Sequence, residues 1–494
     1  MSAATIIATI AGYIILLFVV ARRAARRVDN RNFFTAGRST HRAVAAIAMV
    51  GAAMSGVTYI SVPGSVMADG FSYLQTTLGF FVGYVVIAFV LIPLYFRLGV
   101  VSLYEYLDHR FGVTSHRTGA WLFFVSKLLS ASLRAFVVCV VLQTLLFERY
   151  DIPFVVNAAI MMSLVWLYTR RGGVKSVVWI EMLKSIIMVS SIVLCIIFVM
   201  RALGYNLIEA STAIGDSDLS RVFFFDDPMD RRYFWKQFLA GIFLVVAMTG
   251  MDQDMMQTML SCRSKRDAQR GLMNSIVVQM VVIVLFLVLG ALLYIYVAGR
   301  EGAPHGDSLF GYVATECGLP AIVGVLFLLG LVASTYSSAG SALTALTTSM
   351  TLDILDGRKR DDEGLGRLRR GAHTAIAVMM TLLIVAFNEW SSAGVITLIF
   401  TMASYTYGPL LGMFLFGLLT RRSIKERAVP FIAIISPLLC YLVATHSAEW
   451  LGGYTFSYEI IILNAVLTML AMYLFSEHGD KIGNDAKSGA WGKI

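Results

Sequence analysis

Long apolar segments separated by short charged loops dominate the chain. At about 20 residues for each membrane-crossing helix, this pattern predicts thirteen spans. Runs such as Ile276 to Ala298 lack the alternation of apolar and polar residues that is typical of a membrane β-barrel. The predicted spans are 2–21, 42–67, 73–96, 118–147, 153–169, 176–201, 235–258, 271–298, 319–351, 371–388, 391–419, 428–446 and 456–475.

The loop charges predict the orientation of these spans. Of the 40 Lys and Arg residues, 30 fall in one alternating set of loops, 7 in the opposite set and 3 within spans. Basic loops stay in the cytoplasm, so we expect an extracytoplasmic N-terminus and a cytoplasmic C-terminus. Ser2 to Ala21 lacks a basic region before it and is followed by arginines, which favours a spanning helix over a cleaved signal peptide. We expect a bacterial-type cytoplasmic (inner) membrane.

The composition excludes several classes of protein. A mean hydropathy of +0.74, with 58% hydrophobic and 14% charged residues, is too apolar for a soluble multidomain protein. The net charge of +9 follows from the cytoplasmic loops, so it does not indicate nucleic-acid binding. Five scattered cysteines without CxxC spacing predict free thiols, and the histidines show no HExxH spacing. With no set of nucleophile and base either, we expect no enzyme.

A serine-rich stretch, Leu331 to Met350, lies inside one apolar span. Its serines follow the i, i+3, i+4, i+7 spacing, so on a helix their hydroxyls form one stripe, continued by Thr344 or Ala345 and then Thr348. The stripe serines are Ser334, Ser337, Ser338 and Ser341. Two interpretations are open. The small side chains can allow close helix packing, or the oxygens can form a cation site.

Two spans contain residues that interrupt helices. Gly51 to Gly64 (GAAMSGVTYISVPG) places Ser-Gly and then Pro63-Gly64 in the second span, and the seventh span contains Thr249-Gly250 before Asp252. An ordinary proline kink is the alternative for the second span. Breaks at corresponding places predict an inverted repeat of spans two to six and seven to eleven, with a binding site near mid-membrane.

Charged residues inside spans are costly and are usually paired or functional. Lys127 and Arg134 lie seven residues apart on one helix face, where they can bind an acidic substrate, pair with a carboxylate or reach toward the membrane surface.

Two further groups of charges lie within or beside spans. Glu181 and Lys184 have i, i+3 spacing and can pair with each other. Asp252 and Asp254, near the cytoplasmic end of the seventh span, favour a structural or gating network over catalysis.

Several motifs, in the same order, resemble signatures of the sodium:solute symporter family over residues 1 to about 475. They are GAAMSGVTYISVPG, DGFSYLQTTLG, YEYLDHRFG, RRGGVKSVVWIEMLK, TGMDQDMMQTMLSCRSKRDAQ and ASTYSSAGSALTALTTS. The resemblance implies an all-α membrane protein with a leucine-transporter-type 5+5 inverted repeat and an added N-terminal helix. In this chain the repeats would be 42–201 and 235–419, within one transporter domain of residues 1–475 that ends in two helices, 428–475, and a tail, 476–494.

The resemblance also implies ligands for a sodium ion. The main site would use backbone carbonyls of Gly51, Met54 and Ser334 with the hydroxyls of Ser337 and Ser338.

Some family members have a second sodium site, and here its counterparts are Ser338, Ser341 and Glu181. Gly340 stands where many members carry Asp, and Lys184 departs from the usual pattern. An ammonium beside Glu181 would repel Na⁺ and can substitute for it, so we expect one sodium site rather than two.

The substrate residues follow from a similarity to the branch that carries sialic acid. Gln75 and Lys127 match a glutamine and an arginine that contact the ligand there, although lysine lacks the planar fork of arginine. The remaining candidates near the helix breaks are Arg134, Ser55, Thr58, Thr249 and Thr401.

We therefore expect a Na⁺-coupled symporter for a small organic solute, such as an anionic sugar or another carboxylate, that works as a monomer by alternating access. Na⁺ would be its only cofactor. Two alternatives remain: a proton-coupled or Na⁺-independent permease that uses Glu181 and Lys184, and a membrane sensor of solute.

Overall fold

The computed structural model describes residues 3–24, 40–390 and 395–477. The predicted positions 2, 391–394 and 478–494 lie outside these ranges. Within them, nine helices are long and apolar enough to cross a membrane, and two bent helix pairs and two shorter apolar helices accompany them. Their positions are consistent with the thirteen predicted spans. Large side chains on their outer faces, such as Leu382 and Phe431, are exposed as lipid-facing residues are. The chain is a multi-pass helical membrane protein.

The helices are numbered here in chain order. They are α1 Ala3–Ala24, α2 Arg42–Ala53, α3 Gly56–Asp69, α4 Tyr73–Val86, α5 Ile92–Leu98, α6 Glu105–Arg110, α7 Val113–Leu142, α8 Phe154–Leu203, α9 Leu207–Gly215, α10 Phe234–Val245, α11 Gln253–Leu260, α12 Lys265–Val297, α13 Leu309–Glu316, α14 Ala321–Ser349, α15 Asp362–Trp390, α16 Val395–Leu419, α17 Val429–Trp450 and α18 Ile460–Leu474. Helix α8 contains two spans and breaks at Gly173, where φ is 51°.

Short elements complete the described chain. One π-helical turn, Ile87–Leu91, joins α4 to α5, and others extend α7, α10 and α14 at Gln143–Phe147, Val246–Gly250 and Met350–Ile354. Two strands, β1 Ser423–Ile424 and β2 Ser476–Glu477, pair antiparallel.

The second span is broken, as its sequence predicts. Helices α2 and α3 bend by 56° at Met54 and Ser55. Ser55 begins α3 with a capping box, because its hydroxyl accepts from the Thr58 N–H at 3.5 Å and its own N–H donates to Thr58 Oγ1 at 3.3 Å. The predicted interruption at Pro63-Gly64 does not break the helix, since α3 continues through both residues.

Pro63 and Gly64 instead permit close packing against neighbouring segments. A Cβ on Gly290 of α12 would lie 2.5 Å from the Pro63 carbonyl oxygen, so glycine is needed there. The Gly64 carbonyl accepts a hydrogen bond from the Tyr294 hydroxyl at 2.6 Å. This small-residue contact is the kind that holds helices together in lipid.

The seventh span is also broken. Helices α10 and α11 bend by 65°, after a π-helical turn that contains Thr249 and Gly250. Asp252 begins α11, with its carboxylate accepting from the Asp254 N–H at 2.9 Å. The two bent pairs therefore begin the two predicted five-span units.

The serine-rich stretch lies on the continuous helix α14, which packs against α8. Gly340 allows one close approach, because a Cβ there would overlap the Tyr168 hydroxyl. That hydroxyl donates to the Tyr336 carbonyl oxygen at 2.5 Å. Tyr168 thus occupies the space that a side chain at position 340 would need, so glycine fits there and a larger residue does not.

Candidate functional site

A cavity, here called the central cavity, lies where the two helix breaks meet. Both bent pairs contribute to its wall, together with α4, α7, α12 and α16. The polar residues that line it are Ser55, Thr58, Tyr73, Tyr84, Lys127, Ser130, Arg134, Thr249, Asp252, Gln279 and Tyr407. Hydrophobic residues such as Phe80 and Phe400 complete the wall, so the cavity combines apolar surface with converging polar groups, as small-molecule sites do.

The structure brings five of the seven predicted substrate residues to this cavity. They are Ser55, Thr58, Lys127, Arg134 and Thr249.

The other two, Gln75 and Thr401, are not among the described residues that line it. Thr401 directly follows Phe400, which lines the cavity. Gln75 holds the loop 222–232, because its amide donates to the Arg232 carbonyl at 2.8 Å and accepts from the Phe224 N–H at 3.1 Å.

Lys127 pairs with two carboxylates, which was one of the open interpretations. Its Nζ lies 2.8 Å from Asp254 Oδ2 and 3.1 Å from Asp252 Oδ2. The side chains of these three residues are 7%, 10% and 4% exposed, in the order Lys127, Asp254 and Asp252. The polar network predicted for the two aspartates therefore includes the lysine, and it lies at the second helix break.

Tyr407 is a member of this network that the sequence reasoning missed. Its hydroxyl donates to Asp252 Oδ2 at 2.7 Å across 155 positions of sequence. A tyrosine inside an apolar span gives no local signal of its partner. Only the packing of α16 beside the second break brings the two together.

Arg134 differs from Lys127 although both lie on one face of α7. It lines the central cavity but forms no ion pair with a carboxylate of the described residues. The formal charges of Lys127 and Arg134 together balance those of Asp252 and Asp254. An anion that entered this cavity alone would upset that balance.

Several of the predicted sodium ligands and second-site residues lie together where α2, α8 and α14 meet. Gly51 packs directly on α8, since a Cβ there would lie 2.5 Å from the Glu181 carbonyl oxygen and 2.9 Å from Glu181 Oε2. The predicted pairing of Glu181 with Lys184 is confirmed at 2.8 Å. Lys184 Nζ also donates to Ser338 Oγ at 2.9 Å. Both charged residues are fully buried.

One hydroxyl in this cluster is not used by the lysine. Ser337 Oγ is buried and faces the carboxylate of Glu181, and among the described residues no other group is placed to bond to it. The Glu181 carboxylate in turn pairs with Lys184. These buried oxygens share few donors, and a small cation would satisfy them.

The other two predicted sodium ligands, Met54 and Ser334, lie at the first helix break and on α14. Met54 is fully buried at the first break, where its N–H donates to the Gly51 carbonyl at 3.1 Å. Ser334 is buried on α14, and its hydroxyl donates to the Leu331 carbonyl oxygen at 2.9 Å, which leaves the predicted ligand role to its backbone.

Ser341 turns toward Asp254 rather than Glu181. Its hydroxyl donates to Asp254 Oδ2 at 3.2 Å, so it joins the Lys127 network. A smaller cavity, here called the serine cavity, links the two groups, with Ser55, Arg134, Asp254, Ser338 and Ser341 in its wall. The candidate ion cluster and the central cavity are therefore neighbours across the first helix break.

Comparison with known proteins supports a transporter. The model of the sodium:solute symporter family matches residues 33–432. The sodium/iodide cotransporter of Homo sapiens is 25% identical over 81% of this chain and 63% of its own length. The sodium-coupled monocarboxylate transporter 1 of Mus musculus is 27% identical over 86% of this chain and 68% of its own length. The chain thus spans about two thirds of these relatives.

A solved structure shares the fold. It is the substrate-bound outward-open state of a Na⁺-coupled sialic acid symporter, with a TM-score of 0.80 at 18% identity over 95% of this chain and 97% of the other. Because the family model extends over most of the 494 residues, the chain belongs to the sodium:solute symporter family.

Proposed function

We propose that this protein is a secondary active transporter that couples the inward Na⁺ gradient to uptake of a small organic anion. The observation that carries the proposal is the central cavity between two helix breaks, where Arg134 has no carboxylate partner among the described residues. A substrate carboxylate would supply that partner through charge-assisted hydrogen bonds to the guanidinium. Ser55, Thr58 and Thr249 would orient the rest of the solute.

The charge balance of the cavity supports coupling to a cation. Lys127, Arg134, Asp252 and Asp254 are formally neutral together, as are Glu181 and Lys184. An anionic solute that binds with one Na⁺ preserves this neutrality, whereas either ion alone leaves net charge away from water. Symport of the two is the electrostatically favoured use of the site.

The proposed sodium site uses the carbonyls of Gly51, Met54 and Ser334 and the hydroxyls of Ser337 and Ser338. The buried Ser337 hydroxyl, which the lysine does not use, fits such a site. These ligands come from the first broken helix and from α14, so bound Na⁺ would join the two elements. A conformation in which they approach each other would be favoured by Na⁺, which gives the coupling that alternating access requires.

The Lys127 network has a different proposed role. With two carboxylates beside it, Lys127 would hold α7 against α11 and shape the cavity wall, while Arg134 contacts the solute. The name of the mouse relative, a monocarboxylate transporter, supports a carboxylate as substrate. A larger anionic sugar remains within the proposal, because the fold is that of a sialic acid symporter.

Further parts of the proposal concern the whole chain. We assign residues 1–475 to a single transporter domain, with repeats at 42–201 and 235–419, final helices at 428–475 and a cytoplasmic tail at 476–494. The protein would act as a monomer without enzymatic activity, in a bacterial-type cytoplasmic membrane with its N-terminus outside.

The test is uptake into vesicles that contain the purified protein. Radiolabelled monocarboxylates, sialic acid and neutral sugars are offered with an inward Na⁺ gradient, and with choline in place of Na⁺ at fixed pH. We expect Na⁺-driven accumulation of at least one carboxylate, and its loss in Arg134→Gln. Equal uptake in Na⁺ and choline would refute sodium coupling, and accumulation of neutral sugars alone would refute the role of Arg134.

A second candidate function is a Na⁺-independent permease. The observation that favours it is the contact of Lys184 with Ser338, because a lysine ammonium already lies on a proposed sodium ligand. In that case solute would accumulate to the same level in choline, and the proposed sodium ligands would tolerate substitution.

A further inference from the structure

We propose that the Lys184 ammonium is a tethered cation that competes with Na⁺ for one site, so that Na⁺ must displace it from Ser338 to bind. This inference rests on the sodium site of the proposed function and adds a regulator to it. It predicts that the protein carries its own competitor for the coupling ion.

The first step is the position of the ammonium. Lys184 Nζ lies 2.9 Å from Ser338 Oγ and 2.8 Å from Glu181 Oε2, and the lysine is fully buried. One hydroxyl and one carboxylate in this cluster are thus already bound to a monovalent cation. A Na⁺ ion at the same oxygens would need the same lone pairs.

The second step is the oxygen that the lysine does not use. Ser337, the residue before Ser338, is 2% exposed, and its hydroxyl faces the Glu181 carboxylate and receives no hydrogen bond from the lysine. An ammonium donates three directional hydrogen bonds, whereas Na⁺ collects oxygens from all sides. The lysine therefore satisfies part of the oxygen set, and Na⁺ would satisfy more of it.

The third step is the charge of the surroundings. Glu181 is the carboxylate in direct contact with the ammonium, and Asp254 of α11 adds attraction from farther away. Arg134 of α7 opposes it, and Lys127 binds Asp254 directly. The attraction available to a cation here comes mainly from Glu181, which one positive charge neutralises. Two adjacent cations would repel each other, so the site holds either the ammonium or Na⁺.

Displacement of the lysine requires a second counter-ion within its reach. The four-carbon stem of Lys184 is flexible, and Asp254, in the wall of the serine cavity beside Ser338, would be that counter-ion, because Lys127 alone does not balance the two charges of Asp252 and Asp254. Movement from Ser338 toward that carboxylate would free the hydroxyl for Na⁺ while Glu181 stays to attract it. Because Asp254 also belongs to the solute-cavity network, displacement of Lys184 would connect ion binding with that network.

The main test measures Na⁺ affinity of purified protein by titration of radioactive Na⁺ at constant ionic strength. Lys184→Met removes the competitor, and we expect it to bind Na⁺ at least tenfold more tightly than the wild type. Lys236→Met is the matched control. Lys236 is a buried lysine that donates to the Met229 and Thr455 carbonyls, away from the serine-rich helix. Equal affinity in the wild type and Lys184→Met would overturn the proposal.

Thermal unfolding supplies a second readout that does not depend on transport. Lys184→Met leaves the Glu181 carboxylate without its cation, so its melting temperature should rise with Na⁺ much more than with choline. The double variant Glu181→Gln with Lys184→Met lacks the buried charge and should lose this dependence. If Lys184→Met is unstable in both salts while the double variant folds, Na⁺ cannot replace the lysine, and the proposal fails.

Structures of the wild type in Na⁺ and in choline complete the test without any substitution. We expect the contact of Lys184 with Ser338 in choline and its loss in Na⁺. An intact contact at saturating Na⁺ would overturn the competition. The proposed function can fail separately: tight Na⁺ binding by Lys184→Met with no Na⁺-driven uptake by the wild type would support the tethered cation and refute sodium coupling.

Discussion

The two cations on α7 should respond differently to substitution, and this contrast tests the assignment of roles in the cavity. Lys127→Met removes the only positive charge that contacts Asp252 and Asp254 among the described residues. Arg134→Gln removes a charge that has no such partner. We expect the first change to affect mainly stability and the second mainly solute affinity.

The magnitude for Lys127 follows from distance and burial. At an effective dielectric constant of about 20, unit charges at the 2.8 Å separation of Lys127 and Asp254 attract by about 6 kcal/mol. Much of this offsets desolvation, so loss of one partner of such a buried pair typically costs about 3–5 kcal/mol in the free energy of unfolding. Arg134→Gln should change that free energy by less than about 1 kcal/mol.

The magnitude for Arg134 concerns binding. A hydrogen bond to a charged group contributes about 1.5–3 kcal/mol. At 1.4 kcal/mol for each factor of ten, Arg134→Gln should weaken carboxylate binding roughly 10- to 150-fold.

The assay combines denaturant unfolding in detergent with equilibrium binding of the transported carboxylate. Asp254→Asn added to Lys127→Met removes one of the two unpaired carboxylates and should restore part of the lost stability. The reasoning is refuted if Lys127→Met keeps wild-type stability but loses solute binding, because Lys127 would then be the solute anchor. Wild-type affinity in Arg134→Gln would refute the other half.

Three further outcomes are expected. Ser337→Ala should weaken the Na⁺ dependence of uptake, whereas Thr348→Ala on the same stripe should leave it unchanged; equal effects would indicate packing rather than ion binding. Gly340→Ala should lower the free energy of unfolding by about 1–3 kcal/mol, because the new Cβ would overlap the Tyr168 hydroxyl. Tyr168→Phe added to Gly340→Ala should restore part of that loss in thermal unfolding. If the losses from the two single substitutions simply add in the double variant, the contact is contradicted. Gln75→Leu should speed proteolysis of the loop 222–232. It should change solute affinity less than threefold, which corresponds to under about 0.7 kcal/mol. A larger loss of affinity would indicate that Gln75 contacts the solute.

The spans and their breaks could be predicted from the sequence because their causes are local. A helix in lipid satisfies its own backbone, so a run of about 20 apolar residues is sufficient to indicate it. Ser55 begins α3 through bonds to a residue three positions away, and Asp252 begins α11 in a similar way. The pairing of Glu181 with Lys184 is also local, since one helical turn brings them together.

The partners of the buried charges depended on how helices pack, and local patterns do not encode that. Lys127 and Asp252 are 125 positions apart, and Lys184 and Ser338 are 154 apart. The same stripe of serines therefore divides in space: Ser338 meets Lys184, Ser341 meets Asp254, and Ser337 faces Glu181.

Gln75 is a second residue whose partner the local sequence did not predict. Its residue type and motif fit a solute ligand, but its position at the start of α4 directs its amide to the loop 222–232. The sequence alone identified the polar residues inside apolar spans that must find partners, because an unpaired polar group is costly anywhere in a span. The tertiary structure decided which of them satisfy one another and which, like Arg134, are left facing the cavity.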